Sequence, residues 1–166
     1  MKQPQKLLLT IALFATIFVL TSATVKTESL TVHNKYRTAR GIPKLVWNAT
    51  LATRAQNWAN TMAKTQKFAH STGRVNIGEN IAYGTVKGNN ATKFAEMWAA
   101  ERQDFKAGVK YPNCTKTGDQ ADVWHWTQMI WRKTTQIGCG MGNYNGRLYY
   151  VCNYYPAGNY IGQFVY

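Results

Sequence analysis

Two histidines and two glutamates, His70, Glu79, Glu101 and His125, are the side chains of this sequence best suited to chemistry. Imidazole and carboxylate groups together ligate zinc and similar divalent ions, and imidazole exchanges protons near neutral pH. Three uses are open to such a set. It can hold a divalent cation. It can serve as base and orienter for a hydroxyl nucleophile, for which Ser71 is the available residue. Or it can be a satisfied polar network that ties a loop to helices. The sequence has no His-Glu-x-x-His helix, Cys-x-x-Cys pair or Gly-x-Ser-x-Gly elbow, so no local motif decides among the three. His125 lies in the stretch Trp124 to Thr135, which holds three tryptophans in twelve residues. Indole rings can wall an imidazole while its nitrogens keep polar partners. His33, the remaining histidine, has no second ligand-type residue at helical spacing and reads as structural.

The elements that must position these groups follow from periodicity and punctuation. Thr27 to Arg40 reads as a first helix, with Thr27 as N-cap and Gly41 in the C′ position. Lys44 to Trp47 is a short extended link. Asn48 then caps a helix to about Thr65 whose apolar stripe is Leu51, Ala55, Trp58, Ala59 and Met62, and its small alanines should let it pack closely on another layer. Lys67 to Asn89, which carries His70 and Glu79, reads as a polar loop region. A further helix is expected from Asn90 to about Phe105. It places Glu101 between Trp98 and Phe105 on its apolar face, where an ionised carboxylate needs a partner. Asp104 to Asp122 is a connecting loop, and a short helix or turn holds His125. From Gln136 the pattern turns to strands, Gln136 to Met141 and Arg147 to Tyr155, about an Asn145-Gly146 turn. Helices first and a late antiparallel hairpin argue for one α+β layered domain.

Lys2 and Lys6, the apolar run Leu7 to Leu20 and the small residues Thr21-Ser22-Ala23 read as a secretory signal peptide over residues 1–23, leaving 24–166 as the domain. Its removal takes away Lys2 and Lys6 and no acid, so the formal charge falls from +13 to +11. For an exported protein that balance favours anionic cell-wall polymers or membrane surfaces over nucleic acid. Of three cysteines, Cys139 and Cys152 flank the hairpin turn, where opposed strands can bring them within bridging distance, and Cys114 is left over. Three N-glycosylation sequons begin at Asn48, Asn90 and Asn113.

His125-Trp-Thr-Gln-Met-Ile-Trp131 with Lys133-Thr134, and Tyr150-Val-Cys152-Asn153-Tyr154-Tyr155-Pro156-Ala-Gly158-Asn159-Tyr160, resemble the two signatures of the CAP superfamily of cysteine-rich secretory, antigen 5 and pathogenesis-related proteins. His33-Asn34-Lys-Tyr36-Arg37, Ala69-His70-Ser71, Gly78-Glu79-Asn80-Ile81 and Trp98-Ala-Ala-Glu101 match in order, and the plant pathogenesis-related branch with its fungal and bacterial relatives looks closest. The resemblance implies a three-layer α-β-α sandwich with a central antiparallel sheet and a cleft lined by His70, Glu79, Glu101 and His125 that takes a divalent cation, often zinc. It also implies lipid ligands. A sterol would sit at the loop from about Phe105 to Asp122, with Tyr111 and Pro112 in contact, and a fatty acid in a groove between helices. The plant members usually have six cysteines where this chain has three, and the family usually has Gly or a small or charged residue where this chain has Trp124. The expected protein is secreted, monomeric and a binder of sterol or fatty acid rather than an enzyme. The alternative is a metal-assisted extracellular hydrolase using the same cleft.

Overall fold

The computed structural model describes the backbone of residues 5–166 and the side chains of residues 22–166. The apolar run of the expected leader therefore lies outside the side chains described. Among the described residues no helix is long and apolar enough to cross a membrane. The elements are α1 (Gln5–Thr38), β1 (Val46–Trp47), α2 (Ala49–Thr65), β2 (Gly78–Thr85), α3 (Ala91–Ala100), α4 (Trp124–Met129), β3 (Gln136–Tyr144) and β4 (Arg147–Tyr155).

Four strands form one sheet in the order β1-β3-β4-β2. The two long pairings are antiparallel. The sheet is nevertheless mixed, because the two-residue β1 joins β3 in parallel, a departure from the antiparallel sheet expected. Asn145 and Gly146 both take positive φ, 48° and 75°, as a two-residue type I′ hairpin requires, and this register sets Cys139 directly opposite Cys152. The two are joined as a disulfide, and Cys114 is free and buried.

The sheet divides two cores. On one face Ala55, Ala59, Met62 and Ala63 of α2 pack on Ile81, Tyr149 and Val151. On the other, Phe94, Trp98, Trp126, Met129 and Ile130 pack with Ile137, Tyr150, Cys152 and Tyr154. Trp126 and Trp131 are both core residues. The alanine face of α2 meets a matching surface on β3, where Gly138, Gly140 and Gly142 alternate along one side. A Cβ on Gly142 would lie 2.5 Å from the Ala59 carbonyl oxygen, so the helix backbone rests on the strand itself.

Several local expectations hold. Asn48 caps α2 through a bond from Leu51 N, and α3 begins just after Asn90, which caps it through a bond from Lys93 N. At the end of α1, Gly41 has φ 62°, Gly41 N bonds Thr38 O and Ile42 N bonds Arg37 O, a Schellman closure. Others give way. Thr27 lies inside α1 rather than at its start, because no proline or glycine lies between Gln5 and Thr27. The region 67–89 is not all loop, since β2 runs through it. Its polar Glu79 and Asn80 are buried against partners distant in sequence, which hides the strand from a hydropathy reading. α3 stops at Ala100 and tightens into a 3₁₀ turn over Glu101–Gln103 instead of continuing to Phe105, which bridges to Thr115.

Two buried polar groups lock the layer that holds His125. Arg37 is fully buried and makes no ion pair with a carboxylate among the described residues. Its guanidinium donates to the carbonyls of Pro43, Met129, Trp131 and Thr134, so it satisfies the end of α4. Burial lowers its pKa to about 10, with a smaller downward push from Arg132, and it stays charged at neutral pH. His33 is equally buried. Its Nδ1 donates to Ser29 O at 2.7 Å and its Nε2 accepts from the Tyr154 hydroxyl at 2.8 Å. Asn80 Nδ2 in turn donates to that hydroxyl and to the carbonyl of His125. His33 is thus structural, as its spacing implied.

Candidate functional site

The four side chains come together as two histidine–glutamate pairs. In the first, His70 Nδ1 lies 2.8 Å from Glu79 Oε1. The Glu79 side chain has 0% exposure, and both its oxygens are engaged. Oε1 also accepts from Ser71 N, while Oε2 accepts from the Ser71 hydroxyl at 2.6 Å and from Asn153 Nδ2. Burial alone would raise its pKa. The bonds from His70 and Ser71 and the charge of Arg74 outweigh that, and the net shift is downward.

In the second pair, His125 Nδ1 lies 2.6 Å from Glu101 Oε1. Glu101 Oε2 accepts from Trp126 N at 3.0 Å. No side chain caps α4 at Val123, so this carboxylate satisfies an otherwise orphan backbone donor of its first turn. That second duty explains why Glu101 sits at the end of α3 in a 3₁₀ turn. The Trp98 ring lies parallel to the His125 ring, with centroids 5.7 Å apart, and fixes its plane.

Both histidines open onto one cleft of about 530 Å³, walled by Phe68, Tyr83, Met97, Trp98 and Trp124. His70 is 48% exposed at the side chain and His125 33%. An ionised carboxylate only accepts, so Nδ1 of each imidazole carries the proton. In its neutral form each imidazole then carries a lone pair on Nε2, which has no hydrogen-bond partner among the described residues. This is the arrangement in which a carboxylate orients a histidine for a metal.

The donor set fits a cation held by two imidazoles, with ligands from solution completing its shell. It does not form a closed four-residue cage: the Glu79 oxygens face inward, and no cluster of three or more His, Cys, Asp or Glu side chains suited to a metal occurs among the described residues. The glutamates bond the Nδ1 atoms of the two histidines, on the ring side away from Nε2. Ser71 is buried, and its hydroxyl donates to Glu79 rather than to either histidine. Tyr111 and Pro112 do not line the cleft. They are half-buried, with Tyr111 edge-on to Trp131 and its backbone paired with Gly162 and Gln163.

The chain matches the cysteine-rich secretory protein (CAP) family over residues 30–154. It belongs to that family. It is 39% identical over 137 residues to venom allergen 5.02 of Dolichovespula maculata, covering 77% of this chain and 61% of that protein. It is 35% identical over 139 residues to pathogenesis-related leaf protein 4 of Solanum lycopersicum, covering 82% and 80%. The chain therefore spans about three-fifths of the venom allergen's length. Among solved structures, NaASP2, crystallised with Zn2+, aligns with a TM-score of 0.72 at 26% identity, over 88% of this chain and 86% of that one. The CAP fold is thus an α+β sandwich of helices about a mixed sheet. Relatives such as venom allergens and pathogenesis-related proteins are typically secreted, and the Cys139–Cys152 disulfide suits an oxidising compartment.

Proposed function

We propose that this CAP protein is exported by the leader over residues 1–23 and acts as an extracellular, defence- or effector-like binding protein. Its cleft takes a divalent cation, of which zinc is the best fit, on Nε2 of His70 and His125. The observation that carries this reading is the pair of carboxylate-oriented imidazoles on one cleft. Zinc suits two neutral imidazoles completed by water or a ligand anion, and its affinity rests on the glutamates behind them. When bound, the cation supplies a Lewis acid that polarises an oxygen of whatever ligand enters. Glu79 and Glu101 hold the protons on Nδ1.

The same cleft favours an amphiphile, a sterol or a fatty acid, over a wholly polar ligand. Phe68, Tyr83, Met97 and Trp124 are all exposed on its rim, so a polar head can meet the imidazoles while an apolar body lies along the rings. A sterol contact at Tyr111 and Pro112 would be a second place, on the loop strapped to the C-terminal segment. Titration calorimetry with zinc, and equilibrium binding of a labelled sterol and a labelled fatty acid, test the proposal. Expected are one equivalent of zinc, lost in His70→Ala and His125→Ala, and saturable lipid binding weakened by Trp124→Ala. Absence of both sinks the reading, and turnover of an ester or peptide abolished by chelation replaces it with the hydrolase.

A further inference from the structure

A second concavity lies along the flank of α2, distinct from the histidine cleft, with a volume of about 650 Å³. Thr50, Thr53, Arg54, Asn57, Trp58 and Thr61 recur along one helix face to form it, and Ser71 and Thr72 close the far side. No aliphatic or phenyl side chain larger than threonine's methyl lines it, so it does not suit a lipid tail. Its one aromatic is held in place. The Trp58 indole nitrogen donates to Ala69 O at 2.9 Å, and the ring packs against the core beneath α2. A fixed indole among short hydroxyls and an amide offers one flat apolar wall and several directional polar groups.

Arg54 adds a charge. Its Nη2 donates to Thr72 O at 2.8 Å and reaches Ser71 Oγ at 3.4 Å, while its Nε is buried without a hydrogen-bond partner among the described residues. No acid lines the groove, and the chain as a whole carries +13. The carboxylate behind Ser71, that of Glu79, is buried and already engaged, so the charge a ligand in the groove meets is the Arg54 guanidinium, which favours an anion beside the aromatic wall.

We propose that this groove binds an acidic oligosaccharide: a pyranose ring rests on Trp58, Asn57 and the threonines take its hydroxyls, and Arg54 takes a carboxylate or sulfate. The ring's axial hydrogens meet the indole as an apolar surface, and its edge hydroxyls meet polar partners, which is the division of surface the groove presents. The site is independent of the metal cleft, although both lean on the His70–Thr72 segment.

The test titrates tetragalacturonic acid, a sulfated glycosaminoglycan tetrasaccharide and neutral cellotetraose into the full chain. Affinity is read by calorimetry, and the Trp58 indole N–H by proton–nitrogen correlation NMR. Saturable binding of at least one acidic chain is expected, with the Trp58 signal moving. Trp58→Ala and Asn57→Ala should each weaken it by about tenfold, the loss of one good contact. Arg54→Gln should remove the preference for acidic over neutral chains. The carboxylate and sulfate arms identify the anion. Asn57 is exposed, so its variant keeps the test valid if Trp58→Ala does not fold. No saturable binding of either acidic chain overturns the proposal. So does equal binding of neutral and acidic chains, or acidic binding untouched by all three variants, which would assign it to the general basic surface.

Discussion

Glu101→Gln separates the two duties of that carboxylate. The glutamate accepts from His125 Nδ1 through one oxygen and from Trp126 N through the other. Glutamine keeps one acceptor and turns an NH2 toward the second donor. Either the α4 backbone loses its partner, or His125 changes tautomer to accept from the amide and carries its proton on Nε2. One charge-assisted hydrogen bond is lost in either case, worth about 1.5–3 kcal/mol. For a domain of this size that lowers the thermal midpoint by about 3–10 °C. The second outcome also removes the lone pair that would hold a cation, and loss of such an orienting partner costs about 10- to 100-fold in metal affinity. Scanning calorimetry and a zinc titration on the same preparation read both effects. A lowered zinc affinity identifies the second outcome, and a lowered midpoint with zinc affinity kept identifies the first. An unchanged midpoint together with unchanged zinc affinity would refute the assignment of both bonds to Glu101.

Acid should weaken the fold through His33. Burial lowers its pKa from 6.5 to about 4, against an opposing bond to Ser29 and with a small push from Arg37. The unfolded chain takes up this proton first, so the stabilisation is complete above pH 6.5 and is lost as pH falls toward 4, amounting to about 3 kcal/mol. Urea midpoints of the wild type and His33→Gln across that window should show a shallower slope in the variant, and parallel slopes would contradict this. Arg37→Met leaves four carbonyls without their donor and should cost about 3 kcal/mol or more by urea unfolding. A loss below about 1 kcal/mol would show that those carbonyls find other partners. Gly140→Ala sets a Cβ against the Gln56 backbone and must lift α2 from β3, costing about 1–3 kcal/mol in the same assay, whereas no loss would mean the layers are not in backbone contact.

What could be read from the sequence was local. Asn48 as a cap, Asn90 as a helix start, Gly41 as a helix stop and Asn145-Gly146 as a hairpin turn each depend on a few neighbouring residues, and the disulfide follows from the hairpin register. His70, Glu79, Glu101 and His125 were recognisable as a set through their resemblance to a family. Their pairing was not, because Glu79 is matched to His70 by a strand that conceals itself. The polar Glu79 and Asn80 are buried in β2 only because Ser71, Asn153 and Tyr154 reach them. α3 is shorter than its apolar spacing promised because Glu101 is needed at α4. Gly138 and Gly140 were legible as strand residues and Gly142 lay beyond the expected strand, but the role of all three depends on the backbone of α2, more than eighty positions away. Nothing near Arg37 in the sequence marks the four carbonyls it serves.

The central claim is that His70 and His125 offer their Nε2 atoms to one cation. The chain has three histidines, and His33 is an internal control with both nitrogens committed. Nitrogen-detected NMR of histidine-labelled protein during a zinc titration reads each imidazole separately. The account predicts Nδ1–H tautomers at His70 and His125 before metal, Nε2 signals of both moving together to saturation at one equivalent, and His33 unmoved. Nε2–H tautomers at those two positions, or a response from only one of them, would contradict it.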